Sequence, residues 1–304
     1  MNKKMITILV VISALVAAAV AWFSLWLSAN YAFGQLDYYY EGSNAYSAGN
    51  AELQASKVNN IEIDWLSGDV VVEQYDGDTI LITEENAPAS EKNKLHYHLN
   101  NNGYLQIKYF SSRQEAGIYH KVQNKTLHIK VPANWNIENL EITVEAGSVT
   151  AKSLQIDNKL YVTAVTGDVN LLNLQVKTLF CDVTTGAIND TNSIAHSVQA
   201  GAVTGNISMT GNYGSFSGGT VTGDVLLSCG RPDSIKAEVT TGNIKVLHPD
   251  DTGFVARYLV GLGDTDFGNF SVEMVNSAEA RYGDGTTEMI LSISTGNISI
   301  DTAN

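Results

Sequence analysis

Three histidines are the first residues in this chain whose placing could do chemistry. His96 and His98 stand two apart on one face of an alternating stretch, with Leu95, Tyr97 and Leu99 on the other, and His128 lies in a later strand-like stretch. Three imidazoles can hold zinc, but no cysteine or carboxylate stands near them at ligand spacing, so they read as solvent-facing side chains. Asp264, Asp266, Gly268 and Asn269 begin like a calcium loop, yet the twelfth position from Asp264 is Val275, where such a loop needs a bidentate glutamate. Cys181 and Cys229 fall in different registers of the pattern described next, too far apart to be bridged. Asp182 and Glu238 are the carboxylates on which a glycan-cleaving enzyme would have to draw, but glycines stand beside both and no acid–base pair emerges. The sequence therefore points to no catalytic residue, cofactor or metal site.

These residues hang on a repeat. Thr166-Gly167-Asp168-Val169 recurs as Thr185-Gly186-Ala187-Ile188, Thr204-Gly205-Asn206-Ile207, Thr222-Gly223-Asp224-Val225 and Thr241-Gly242-Asn243-Ile244, with relatives at Gly68, Gly147 and Gly296. From Gly147 to Gly242 the glycine spacings are 20, 19, 19, 18 and 19. Seven residues before the glycine the column is apolar (Leu140, Leu160, Leu179, Val198, Phe216, Ile235), and so is the column two after it (Val149, Val169, Ile188, Ile207, Val225, Ile244). Alternation between these columns is a strand signal, and its break at the glycine is a corner, where glycine permits a positive φ. The expected fold is all-β: a single-stranded β-solenoid, like a parallel β-helix, of about 19-residue coils. Some seven coils at the strand spacing give a length near 35 Å.

The segment from Met5 to Ala29 carries no charge, and Lys3 and Lys4 precede it. It exceeds the roughly 20 apolar residues that span a bilayer as a helix, and the positive-inside bias places the N-terminus in the cytoplasm. Ala19-Val20-Ala21 would suit a signal peptidase, but Trp22 to Leu27 continue the apolar run. Either outcome exports the remainder, where all 32 acidic residues lie against all but two of the 18 Lys and Arg. That field repels nucleic acid and anionic lipid heads and suits solubility, cation binding or a cationic partner; besides the membrane, a surface glycan or an envelope protein is the expected partner. The expected organisation is a cytoplasmic stub and transmembrane helix (1–29), a linker (30–56), a hairpin-decorated region (57–138), regular coils (139–247), and an insertion followed by a capping coil (248–304).

The anchor, the opening Ile61-Glu62-Ile63-Asp64-Trp65-Leu66-Ser67-Gly68-Asp69-Val70, the Tyr75-Asp76-Gly77-Asp78 turn, the Thr-Gly-Asp/Asn repeats and the closing Ser294-Thr295-Gly296-Asn297-Ile298 together resemble the bacterial β-strand-repeat proteins known as the putative-adhesin family. The resemblance covers residues 58 to 302 and implies a membrane-anchored, extracellular domain with adhesion or another envelope interaction as its role. It carries over no catalytic residue. The reading is a non-enzymatic surface binding module, adhesin-like or an accessory in envelope-stress signalling; the alternative is a polysaccharide lyase or hydrolase built on a β-helix. Irregular segments hold function more often than regular coils do. The expected ligand site is therefore the acidic and aromatic stretch around Asp264, Asp266, Phe267 and Tyr282, unless those aromatics plug the end of the core.

Overall fold

The computed structural model describes residues 38–112 and 124–303, which form one continuous β structure with no α-helix among them. Each coil has two limbs. The first carries the alternating apolar columns into the corner glycine, as in Gln155–Thr166 and Gln175–Thr185, and the second leaves it, as in Val169–Leu172 and Val225–Cys229. Equivalent limbs pair in parallel and in register, so Val162 lies beside Cys181 and Cys181 beside Ala200. Inward residues of both limbs merge into a single apolar core. The predicted transmembrane helix and the start of the linker lie outside the described residues; within them no helix is long and apolar enough to cross a membrane.

The corner shows why the repeat is written in glycine. Gly147, Gly167, Gly186, Gly205, Gly223 and Gly242 all have φ between +144° and +152°, save Gly167 at +136°. A Cβ on any of them would collide with the carbonyl oxygen of the glycine one coil earlier. The Asp or Asn that follows reaches the next coil. Asp168 Oδ1 accepts the Ala187 N–H at 2.8 Å, Asn206 Oδ1 that of Asp224 at 2.9 Å, Asp224 Oδ1 that of Asn243 at 2.7 Å, and Asn243 Oδ1 that of Asn297 at 3.1 Å. This ladder skips a rung at Ala187, whose methyl offers no acceptor. Further asparagine pairs stack from coil to coil, Asn189 on Asn170 at 3.1 Å and Asn192 on Asn173 at 2.8 Å.

The stack is longer than the glycine count implies, because both irregular segments contribute coils. Ten first-limb strands lie side by side, about 43 Å at the strand spacing. At the N-terminal end Tyr104–Lys108 and Thr126–Pro132 form a coil outside Asn60–Ser67 and Val70–Tyr75, so the first coil in sequence is the second in space. At the other end Thr287–Thr295 and Ile298–Thr302 lie between the coil ending at His248 and an outermost coil made of Phe254–Leu262 and Thr265–Asp266. The expectation that the final strands cap the solenoid is therefore corrected: the insertion caps it. Its corner, Gly263 on Gly296, repeats the glycine contact without the Thr-Gly-Asn signature that would reveal it.

The linker also needs correction from residue 38 onward. Tyr38 is buried against Phe110, ring centroids 4.7 Å apart, and its hydroxyl donates to the Asp64 carbonyl at 3.2 Å. Ser47–Ala48 and Ala51–Gln54 pair antiparallel with His96–Leu99 and Thr79–Glu85. Antiparallel strands of this kind seal the N-terminal edge, which would otherwise offer unpaired backbone. Beneath them Lys125 is fully buried, its Nζ 2.5 Å from Glu84 Oε1, 2.9 Å from the Asn93 carbonyl and over the Tyr109 ring at 3.8 Å. Burial pulls this ammonium down to about 8 against the pull of Glu84.

The corner contact and its ladder give opposite expectations for two substitutions. Gly205→Ala should cost about 2–5 kcal/mol in urea unfolding, since it adds backbone strain and a collision with Gly186. Ala187→Asn should stabilise by up to about 1 kcal/mol by supplying the missing acceptor. An unchanged midpoint for Gly205→Ala would show that the corner does not set the stability of the stack.

Candidate functional site

The outward face of the first limbs carries one residue per coil in the column four before the corner glycine. In stacking order this column reads Asp64, Thr143, Thr163, Asp182, Gly201, Gly219, Glu238, Ser292 and Leu259. Two consecutive glycines remove the side chains from two adjacent coils and leave a groove of about 430 Å³. That volume falls within the roughly 300–1,000 Å³ of small-ligand clefts. Asp182 stands on one wall, Lys236 and Glu238 on the other, with Gln199, Ser217 and Ser292 among the lining. The Asp182 carboxylate leans over Gly201, and partial burial, with no compensating contact, holds its carboxyl above the usual range. Glu238 is held by Lys236 at 3.0 Å, with both side chains more than half exposed. Beside Gln199 stands Phe180, whose ring lies 6.1 Å from that of Tyr161, with Lys159 Nζ within 4.8 Å of both centroids.

Asp182 and Glu238 are the two carboxylates weighed for an enzyme, and the fold does place them on one groove. Three strand spacings separate their backbones, about 14 Å. The signal for the groove is in the sequence: the outward column four before the corner glycine holds Asp182, Gly201, Gly219 and Glu238, but glycine in a repeat reads first as a turn residue, and a missing side chain does not by itself announce a cleft.

The residues expected to bind at the C-terminal end have separate tasks. Tyr282 stacks at 4.8 Å on Phe270 and 5.7 Å on Phe254, and its hydroxyl donates to the Asp250 carbonyl at 3.0 Å. Phe267 packs against Tyr258, centroids 5.6 Å apart. Asp266 Oδ1 accepts the Gly268 N–H at 3.1 Å, closing a local turn, and the Asp264 N–H donates to Asn297 Oδ1 at 2.9 Å. The aromatics thus line the end of the core, with the two aspartates exposed outside it.

The histidines are not brought together. His96 Nδ1 lies 3.0 Å from the Lys94 carbonyl, His98 Nδ1 3.1 Å from the Ala45 carbonyl, and His128 faces Glu85 at 3.2 Å. Among the described residues no three His, Cys, Asp or Glu side chains cluster as a metal requires. Cys181 and Cys229 are both free and buried. Cys229 Sγ sits 3.3 Å from both the N–H and the carbonyl of Tyr213.

Asp190 is the polar residue that the sequence pattern hid. It occupies an inward column whose neighbours are Leu171 and Met209, and it is buried. Ser193 Oγ donates to it at 2.5 Å and the Tyr213 hydroxyl closes a second, short hydrogen bond. Desolvation raises its pKa despite both donors. A carboxyl whose folded pKa lies above its unfolded value near 3.9 binds more protons in the folded state, so its contribution to stability falls as pH rises from about 4 through the folded pKa. Asp190→Asn should remove that slope, so the urea midpoint of the variant relative to wild type should rise between pH 4 and 7. A difference independent of pH would refute the assignment.

A family model described as Toastrack DUF4097 matches residues 58–301. A search of the curated proteins gives no match. Among solved structures, the chain is similar to a putative adhesin from Bacteroides fragilis NCTC 9343, with 13% identity over 83% of this chain and 95% of that one and a TM-score of 0.50. A putative lipid binding protein from Parabacteroides distasonis ATCC 8503 aligns at 14% identity over 83% and 96% of the two chains, with a TM-score of 0.47. At such identities the first likeness speaks for the fold, and function has to be argued from the site.

Proposed function

We propose that this chain, which belongs to the Toastrack DUF4097 family, is a non-enzymatic binding module held outside the cell by its N-terminal apolar segment. The observation that carries the reading is the lateral groove: a cleft of ligand size on an otherwise regular face, with one carboxylate free and the other paired with Lys236. The acidic surface, the uncharged run from Met5 to Ala29 and the adhesin name of a structural relative support the same reading. Attachment to a surface glycan or an envelope protein is its direct form; an accessory role in envelope-stress signalling would use the same binding step with a membrane protein as partner.

Two measurements on cells carrying the full chain test this. External protease should remove the β domain and leave Lys3 and Lys4 protected, and isolated envelope fragments should be retained by the cells without release of new reducing ends. Protection of the domain from external protease would overturn the topology. Glycan turnover that is lost in Asp182→Asn or Glu238→Gln would overturn the non-enzymatic reading in favour of the lyase or hydrolase.

A further inference from the structure

The glycines of the groove differ in what the fold asks of them. A Cβ at Gly219 would strike the Glu238 carbonyl, and one at Gly218 the Ala200 carbonyl, so close backbone approach explains both. At Gly201 the nearest atom is Oδ1 of Asp182 at 2.6 Å, the movable tip of a side chain, and the next is Cγ of the same residue at 3.8 Å. The φ of Gly201 is not in the left-handed region either. A glycine inside a central strand weakens it relative to alanine and leaves nothing to pack. Neither sterics nor backbone geometry requires one here. What it does is keep the groove open and leave room for the Asp182 carboxylate to lean across.

The lining limits what can occupy that space. Gln199, Ser217, Thr240, Ser292 and Ser294 offer paired donors and acceptors, as a ring bearing several hydroxyls requires. Asp182, with no hydrogen bond or ion pair among the described residues, can accept from a hydroxyl or an ammonium. Lys236 is the cation of the lining, and Glu238 already holds it at 3.0 Å, so an anionic ligand would meet a carboxylate on each wall. Phe180, next in register to Gln199, sets an aromatic ring beside the groove, with Lys159 Nζ 4.8 Å from its centroid and outside the groove lining.

We infer that the groove over Gly201 and Gly219 is a saccharide site, taking a neutral or amino-substituted glycan chain and excluding acidic ones, with Asp182 as its principal acceptor. The inference rests on the reading of the chain as a binding module and assigns that module its ligand class.

The test uses the full chain in detergent, titrated with cellohexaose, a chitosan hexamer and an oligogalacturonate of equal length. Wild type should bind the first two and not the third. Gly201→Val, which fills the groove with a strand-favouring side chain, should weaken binding at least tenfold with the melting temperature unchanged or higher; Gly201→Ser is the milder companion should valine disturb the sheet. Asp182→Asn should weaken the chitosan hexamer more than cellohexaose. Equal binding by wild type and both Gly201 variants would overturn the site while leaving the module intact. Retention of envelope fragments by a chain that binds none of the three saccharides, or binds the oligogalacturonate best, would overturn the ligand class alone.

Discussion

The coils from Gly147 onward turn on one close approach: a glycine α-carbon resting against the carbonyl oxygen of the glycine in the neighbouring coil, as Gly68 rests against that of Lys125. The contact leaves no room for a Cβ and requires a φ that other residues avoid, so it fixes residue type, backbone shape and coil spacing together. Once the corner is set, the rest follows by period. Inward side chains two residues apart fall into columns, the columns fill the core, and each apolar side chain contributes roughly 1.5–3 kcal/mol only because the coils above and below complete its surroundings. The aspartate and asparagine ladder belongs to the same device. Except after Ala187, it satisfies the N–H that the corner turns outward, using the oxygen of the preceding coil.

What could be read from the residues was whatever the period expressed. The corners from Gly147 to Gly242, the buried columns such as Leu140 to Ile235, and the inward place of Cys181 all follow from spacing, because a parallel in-register stack repeats in space what it repeats in sequence. The end coils could not be read that way. Phe254–Leu262 reaches its corner at Gly263 without a Thr before the glycine, and Tyr104–Lys108 joins the stack through a hairpin, so neither shows the signature although both take the coil position. Tyr38 to Ser56 reads as linker because its tyrosines sit among Gly, Ser, Asn and Ala, yet it supplies short antiparallel edge strands, which need few residues and little pattern. Asp190 ran against its column: a carboxylate among Leu171 and Met209 is tolerated because Ser193 and Tyr213 meet it, a compensation that lies 3 and 23 residues away.

The groove shows a different limit. Its elements, Asp182, Gly201, Gly219 and Glu238, are spread over 57 positions at the repeat's own spacings of 19, 18 and 19, so their spacing does not distinguish them from the other outward members of their column. They become a set because the fold aligns one residue per coil. On such a scaffold a site is made by leaving side chains out as much as by putting them in, and an omission carries little weight in a chain already rich in glycine.

The order of coils differs from the order of the chain at both ends. Residues 60–75 are overlaid by 104–108 and 126–132, and 287–302 lie between 234–248 and 254–266. Each terminal coil is thus an interior member of the sheet, clasped by a segment that comes before or after it in sequence. The stretch from 139 to 241 has no such interleaving; there each coil meets its neighbours in simple succession. In descent this divides the molecule into two kinds of territory. Whole coils can be gained or lost by duplication in the middle, where an added unit finds the same contacts as its parent, while the clasped ends can be inherited only intact. Relatives built on this plan should accordingly vary in length through their central coils and keep their ends.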